Sequence, residues 1–196
     1  MPDANAVQPF IDTFPPDAGT RVPSDDFVAY GETRLPEALI ELWRAHGLGW
    51  YGGSRVALVD PGAWMPTLQT WFGSGVGSIP FAVTSFGHVY HFDRVDGHDR
   101  IQCLDPHFQH NVVVSEDGTT FFSEHLTGSN SHPADLRELH KASIAAKGEL
   151  GENEIFYFEP ILALGGKVNL DNLGKGDGPE HVSDIHRQIA TSRQPR

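Results

Sequence analysis

Three things are scarce in this sequence: cysteine, basic charge and long apolar runs. Cys103 is the single cysteine among 196 residues, so the chain cannot form an internal disulfide bond, which favours a reducing compartment. No apolar run approaches the roughly 20 residues that span a bilayer. The opening MPDANAVQPF lacks the basic and apolar regions of a secretory signal. We therefore expect a cytoplasmic protein with no membrane segment.

Basic residues are strongly outnumbered. The chain has 14 Lys and Arg against 26 Asp and Glu, a formal net charge of -12. Such a protein repels phosphate backbones and anionic bilayers, which argues against direct binding to nucleic acid or to membranes. It attracts a basic protein partner and speeds their encounter. Excess acidic charge also confers solubility without any partner, so charge alone does not decide between these two interpretations.

The apolar residues that are present suffice for a packed core, at 39% hydrophobic and 10% aromatic. Four segments have the apolar spacing of helices: RLPEALIELWRAHG, DPGAWMPTLQTWF, PADLRELHKASIAAKG and the tail after Gly178. Asp60 is expected to cap the second helix, and Asn130 or Ser131 the third. The expected buried side of the second helix carries Trp64, Leu68, Trp71 and Phe72.

Strands are predicted in the middle of the chain. SRVALVD is one short strand, and the turn-like connections between the next four predict an antiparallel meander of IPFAVTSF, HVYHFD, RIQCLD and NVVVS. The fold class is therefore α+β, with a mostly antiparallel central sheet flanked by helices. Residues 1–25 are rich in Pro and Asp and predict an irregular arm that docks through Phe10, Ile11 and Phe14.

The histidines of SFGHVYHFD raise the question of a metal site. In a regular strand, His88, Tyr90 and Phe92 share one face, whereas Val89, His91 and Asp93 share the other. His88 and His91 then cannot converge on one ion. His91 and Asp93 form a same-face pair that needs a third ligand, which His107 or His110 would have to supply. No HExxH or paired CxxC spacing supports such a centre.

Other motifs of catalysis are incomplete. Cys103 lies in an apolar strand, where a buried and inert thiol is expected. GSGVGS lacks the GK[ST] ending of a phosphate-binding loop, and no GxSxG elbow occurs. GLGWYGG is expected to form turns and LGKGDG a flexible loop. No catalytic residue, metal ligand or cofactor is assigned.

Several segments together resemble a known family. LWRAHGLGWYGGSRVALVDPGAW resembles the helix, glycine-aromatic turn and strand of the GAD-like domain, with matches at Leu42, Gly47, Gly49, Trp50, Asp60 and Pro61. IPFAVTSFGHVYHFD is similar to the family's Ile-Pro, Phe, Thr-x-Phe-Gly segment, and CLDPHFQHN to its next strand and turn. GENEIFYFEPILALGG resembles the ending of the uncharacterised domain that accompanies it. The resemblance covers roughly residues 30 to 190.

This two-part arrangement is similar to that of Tdi-type immunity proteins of type VI secretion systems. The resemblance implies a GAD-like segment at 26–125 and an immunity-type segment at 126–196 that shares one core with it. It implies a cytoplasmic antitoxin that binds and neutralises a DNase effector of the Tde type, with no enzymatic activity of its own. A metal-dependent hydrolase at the His91, Asp93, His107 and His110 region remains an alternative, as does a ligand-binding module at Trp50–Tyr51.

A DNase carries a basic surface for DNA, so an acidic inhibitor is expected to meet it with carboxylates. Acidic residues occur in successive connections of the predicted meander. The candidate partner-binding residues are Asp96, Asp99, Glu116, Asp117 and Glu124.

Overall fold

Six strands follow one another both along the chain and across one sheet in the computed structural model, which describes residues 7–128 and 136–193. Each strand pairs antiparallel with the next, which confirms the meander and the α+β class. The strands are β1 (Gly49–Tyr51), β2 (Val56–Leu58), β3 (Ile79–Thr84), β4 (Val89–Val95), β5 (His98–Asp105) and β6 (His110–Ser115). A separate antiparallel pair consists of β7 (Glu154–Phe158) and β8 (Leu173–Asp177).

Helices cover both faces of the sheet. They are α1 (Gln8–Thr13), α2 (Asp25–Glu32), α3 (Glu37–Ala45), α4 (Pro61–Phe72), α5 (Gly118–Thr120), α6 (Arg137–Lys147) and α7 (Gly178–Ser192). The α5 turn continues into a π-helical turn at Phe121–His125, and single 3-10 turns occur at Leu162–Leu164 and Leu170–Asn172. The predicted cap at Asn130 or Ser131 lies outside the described residues.

Strand β4 shows how the sheet divides the apolar residues. Tyr90 and Phe92 face a cluster built with α1, α3 and the π turn, whereas Val89 faces a second cluster built with α4, α7 and β7. The predicted alternation along β4 is therefore confirmed. β4 begins at Val89, so His88 lies just before the strand, and its assignment to the face of Tyr90 stays a prediction.

The N-terminal arm is not wholly irregular, in contrast to the expectation for residues 1–25. Helix α1 forms there, with Pro9 in its first turn and with Phe10 completely buried against Phe14, Tyr51 and Phe122. Burial of this aromatic residue, rather than helix propensity, explains why so short a helix is stable. The docking of the arm through Phe10 and Phe14 is as expected.

The arm continues along the outer edge of β1. Arg21 and Leu48 exchange backbone hydrogen bonds of 2.8 Å in both directions, and the Asp17 amide donates to the Trp50 carbonyl at 2.9 Å. The Asp17 carboxylate then accepts from the amides of Gly53 and Ser54 at 2.8 and 2.7 Å. The edge of β1 is thus paired with the chain's own backbone.

Two glycine-rich segments were misassigned from the sequence. GLGWYGG contributes strand β1 rather than turns alone. LGKGDG is largely strand β8 rather than a flexible loop, because its backbone pairs with β7 along five positions. The ring of Tyr157 lies directly on Gly174, where an added Cβ would be 2.3 Å from the ring. Glycine there permits the close packing that holds the strand.

Helix α4 begins as predicted, since the Asp60 carboxylate accepts from the Gly62 amide at 2.7 Å. Trp64 and Leu68 are fully buried on its inner side. Phe72 is 40% exposed at the C-terminal end, so its place on the buried side was wrong. Helix α7 buries Val182, Ile185 and Ile189, as its spacing predicted.

The segment after residue 148 is tied to the sheet by polar bonds as well as apolar packing. The Phe156 amide donates to the Ser85 carbonyl at 2.7 Å, outside either strand ladder. The Trp64 indole donates to Asn153 Oδ1 and the Trp50 indole to the Gly151 carbonyl, both at 2.9 Å. One apolar cluster contains residues from both predicted family segments, including Val83 and Phe156.

Candidate functional site

The turn between β4 and β5 consists of Asp96 and Gly97. Both residues have positive φ, at 52° and 82°, and Val95 pairs with His98 on either side. Two successive left-handed residues match the tight hairpin turn in which Asp-Gly is favoured. Asp96 is exposed at this tip, so the turn projects a carboxylate into solvent.

The other charges of this hairpin neutralise one another. Asp99, which lies in β5 rather than in the turn, accepts from Arg94 Nε at 2.7 Å. Asp93 is bound by both Nε and Nη2 of Arg100, at 2.8 and 2.6 Å. The hydrogen bond from Arg100 holds the pKa of Asp93 below its ordinary value. The hairpin is thus less negative than its acidic residues alone suggest.

Glu116 and Asp117 follow β6 at the same end of the sheet as the β4–β5 turn, because Ser115 pairs with Ile101 near the start of β5. The Asp117 carboxylate accepts from the Thr120 amide at 2.7 Å and caps α5, whereas Glu116 is exposed. Glu124 is exposed on the π turn that follows. The structure brings Asp96, Asp99, Glu116 and Asp117 to one end of the sheet and leaves Glu124 on the next element.

A polar chain crosses β4, β5 and β6 beside the second apolar cluster. Asn111 Nδ2 donates to Gln102 Oε1 at 2.9 Å, so Asn111 Oδ1 is the acceptor that meets His91 Nε2, also at 2.9 Å. His91 therefore carries its proton on Nε2. Its buried Nδ1 has no hydrogen-bond partner among the described residues. Burial lowers the pKa of His91, because a proton on Nδ1 would be an uncompensated buried charge.

His107 occupies a different environment, in the turn between β5 and β6. Its Nε2 donates to the Phe86 carbonyl at 2.8 Å, and its ring packs on Phe158. Burial, with the nearby His88, lowers the pKa of His107 to about 4. Burial alone would raise the pKa of Asp105, but the hydrogen bond and charge of His88, 3.5 Å away, help lower it to about 2. These groups hold the turn together.

The proposed metal ligands therefore do not converge. His91 bonds Asn111, Asp93 bonds Arg100, His107 lies across the turn and His110 is exposed. Within residues 7–128 and 136–193, no three His, Cys, Asp or Glu side chains are arranged to hold a metal ion.

The second alternative, a ligand-binding module at Trp50–Tyr51, required these two rings to be accessible. Trp50 and Tyr51 are buried, and they lie in strand β1 rather than in an exposed turn. The Tyr51 hydroxyl donates to the Gly47 carbonyl at 2.6 Å, so the polar atoms of both rings have partners within the fold. Cys103 is buried as expected, and burial raises the pKa of its thiol.

Sequence reasoning missed two exposed residues of β6. Val112 and Val113 are 50% and 49% exposed, although NVVVS was correctly predicted to be a strand. Their exposure follows from the position of β6 at the end of the sheet. The sequence did contain a signal for this exposure, since NVVVS is the last predicted strand of the meander and the last strand lies at an edge.

Comparison with known families shows which family this chain belongs to. The GAD-like domain matches residues 5–104, about half of the sequence. The chain belongs to the GAD-like domain family. The C-terminal domain of the type VI secretion system (T6SS) immunity protein Tdi1 matches residues 117–189. The two matches together give this GAD-like protein the architecture of a type VI secretion immunity protein.

A solved structure shares the fold. The crystal structure of Atu4351 from Agrobacterium tumefaciens superposes with a TM-score of 0.73 over 92% of this chain and 88% of that chain. The sequence identity is 12%, so this likeness shows the fold alone. No curated protein matches the sequence. Among the described residues, no helix combines the length and the apolar character that crossing a bilayer requires.

Proposed function

We propose that this protein is an antitoxin that binds and neutralises a DNase effector of a type VI secretion system. The observation that carries the proposal is the order of the two family matches, GAD-like at 5–104 and the Tdi1 C-terminal domain at 117–189. The inhibitor acts by occupying the effector, not by breaking bonds. It works in the cytoplasm, where such an effector meets the DNA of the cell.

The charge of the chain supports a nuclease as the partner. A nuclease presents basic residues to DNA phosphates, and a protein with a net charge of -12 is attracted to the same surface. Electrostatic attraction of this kind raises the association rate, while buried contacts set the dissociation rate. Fast capture and slow release are what protection against a toxic enzyme requires.

The proposal predicts that a nuclease is encoded beside this gene, and the test uses that nuclease. DNA cleavage is measured while purified inhibitor is titrated against a fixed nuclease concentration. We expect cleavage to stop at about one inhibitor per nuclease, because the mechanism is stoichiometric binding. Cleavage that continues unchanged in a large excess of the inhibitor would refute the function. An unrelated nuclease in a parallel titration controls for sequestration of DNA or metal ions.

The acidic end of the sheet is the surface that we propose to meet the effector. Asp96 and Glu116 are exposed there, and neither forms an ion pair with the described residues. The double variant Asp96→Lys/Glu116→Lys should associate roughly tenfold more slowly and with a weaker dependence on salt. Asp99 and Asp117 are left intact because each has a partner in the fold.

The matched control changes the same net charge elsewhere. Glu149→Lys/Asp171→Lys alters two exposed acidic residues of the C-terminal segment. Stopped-flow association rates of the two double variants are compared at several salt concentrations. Equal rates for both would show that the effector responds only to overall charge, which would move the interface away from Asp96 and Glu116. Glu124→Lys then tests whether the surface extends to the π turn.

A further inference from the structure

Strand β6 is an open edge of the sheet. It pairs with β5 on one side, and within the described residues no strand pairs with its other side. In an antiparallel strand, alternate residues direct their N–H and C=O groups outward. These outward groups are a template on which an extended segment of another chain can add as a further strand.

The side chains of β6 suit such an addition. Val112 pairs with Cys103 and Val113 with Gln102, so the two valines lie on opposite faces of the sheet. About half of each is exposed, and an added strand would cover both. The sequence HNVVVS contains neither Lys nor Pro, the residues that commonly protect exposed edges. The bulge near Val114 leaves His110 to Val113 as the regular stretch.

The edge is also held in place before any partner arrives. Asn111 bonds both Gln102 and His91, which links β6 to two strands of the sheet. Gln109, directly before β6, accepts from Arg193, directly after α7, at 2.7 Å. A fixed strand loses little conformational entropy on binding, so more of the contact energy becomes affinity.

Charge distinguishes the partner from a second copy of this chain. Two copies would each carry a net charge of -12, and this repulsion opposes their association. Glu116 and Asp117 directly follow the strand, so an added segment that bears Lys or Arg beside its apolar residues is favoured. These charges favour an extended basic segment of another protein over a second copy of this chain.

The position of β6 between the two family matches also supports its use for binding a partner. The GAD-like match ends at residue 104 and the Tdi1 match begins at residue 117, so the stretch between them contains β6 and the turn before it. A segment that neither family describes is suited to distinguish one partner from another.

We propose that β6 receives a basic β-strand of the cognate effector by strand addition. The inference rests on the proposed function, since it names where and how that effector is held. The backbone of β6 supplies the hydrogen bonds, and Val112 and Val113 pack against alternate residues of the incoming strand.

Affinity measurements with the neighbouring nuclease test the proposal. Val113→Lys and Val113→Glu are compared with Val168→Lys, which alters a valine of similar exposure, 50% against 49%, that lies outside the sheet. Both Val113 variants should raise the Kd about tenfold or more, whereas Val168→Lys should leave it unchanged. If Val113→Lys weakens binding but Val113→Glu strengthens it, the partner senses only charge at this site and strand addition is refuted.

Hydrogen exchange supplies a second readout that does not depend on variants. Outward amides of β6 should exchange more slowly when the nuclease is bound, in alternation along the strand. Unchanged exchange in β6 would refute the proposal. A dimer of the free protein that Val113→Lys dissolves would also refute it, because the edge would then be occupied by a second copy.

The two proposals fail in different ways. If the unaltered protein does not inhibit the nuclease, the proposed function is wrong. If it inhibits, but the Val113 variants and Val168→Lys inhibit equally well, only the strand-addition proposal is wrong. Thermal unfolding of each variant establishes that it is folded.

Discussion

The two edges of the central sheet are treated differently. The edge of β1 is covered by the chain itself, through backbone bonds from Asp17 and Arg21. The edge of β6 is uncovered among the described residues and exposes Val112 and Val113. Exposed edges invite unwanted pairing, and folds commonly protect them. The contrast teaches that cover at β1 contributes to stability, whereas the open edge at β6 is available for a partner.

The largest expected effect is a loss of stability when the arm that covers the edge of β1 loses its buried anchor. Phe10→Ala removes a fully buried ring that holds the arm against Tyr51 and Phe122. The free energy of unfolding should fall by about 3–5 kcal/mol, the usual cost of such a cavity. Val22→Ala, in the same arm but 60% exposed, should change it by about 0.5 kcal/mol or less. Urea unfolding measures both; equal losses would show that the arm is not anchored by Phe10.

The second effect is a pH-dependent loss of stability at His107, in the turn that leads into the open edge strand β6. The pKa of His107 is lowered from 6.5 to about 4 in the fold, so the unfolded chain takes up the proton first. Acidification through this window therefore lowers the free energy of unfolding, by up to about 3 kcal/mol for this group. Asp105, with a pKa of about 2, contributes a further loss only below its ordinary value of 3.8.

The variant His107→Gln measures how much of the loss of stability on acidification is due to His107. Gln has an N–H with which to replace the donor to the Phe86 carbonyl, but it does not titrate. The variant should lose less stability than the unaltered protein between pH values of about 6.5 and 4. The comparison uses chemical unfolding at each pH, with measurements near pH 8 giving the change unrelated to titration. Identical pH slopes would mean that His107 is not the group responsible.

The smallest expected effect compares two valines directly. Val112→Thr on β6 should change the free energy of unfolding by about 0.5 kcal/mol or less, because half of the side chain is already exposed. Val83→Thr on β3 places a hydroxyl at a fully buried site and should cost about 1–3 kcal/mol. A large loss at Val112 would show that the β6 edge is needed for folding and is not kept open for a partner.

Local patterns were enough to predict much of the architecture. Helices α3, α4 and α7 follow from apolar spacing, and the meander from short alternating segments between turns. Helix α2 was missed although its signals are local, since Ser24 caps it and acidic residues fill its first turn. Strand β8 could not be predicted locally, because its extended form depends on pairing with the distant strand β7.

The candidate site was less accessible from sequence. The residues of the acidic end were named, but the partner of Asp99 depends on the hairpin register that places Arg94 opposite it. The network of His91 likewise needs the register that aligns Asn111 beside Gln102. The openness of β6 depends on strand order across the sheet, which no single segment encodes. These are properties of long-range pairing.

The bonds between the two halves of the chain have an evolutionary consequence. The Trp50 and Trp64 indoles, both in the first half, are satisfied by Gly151 and Asn153 of the second. A gene rearrangement that joined the first half to a second half from another protein would leave these indole N–H groups without hydrogen-bond acceptors in the interior. A change in either half therefore has to preserve these contacts in the other, so we expect the two halves to be inherited as a matched pair.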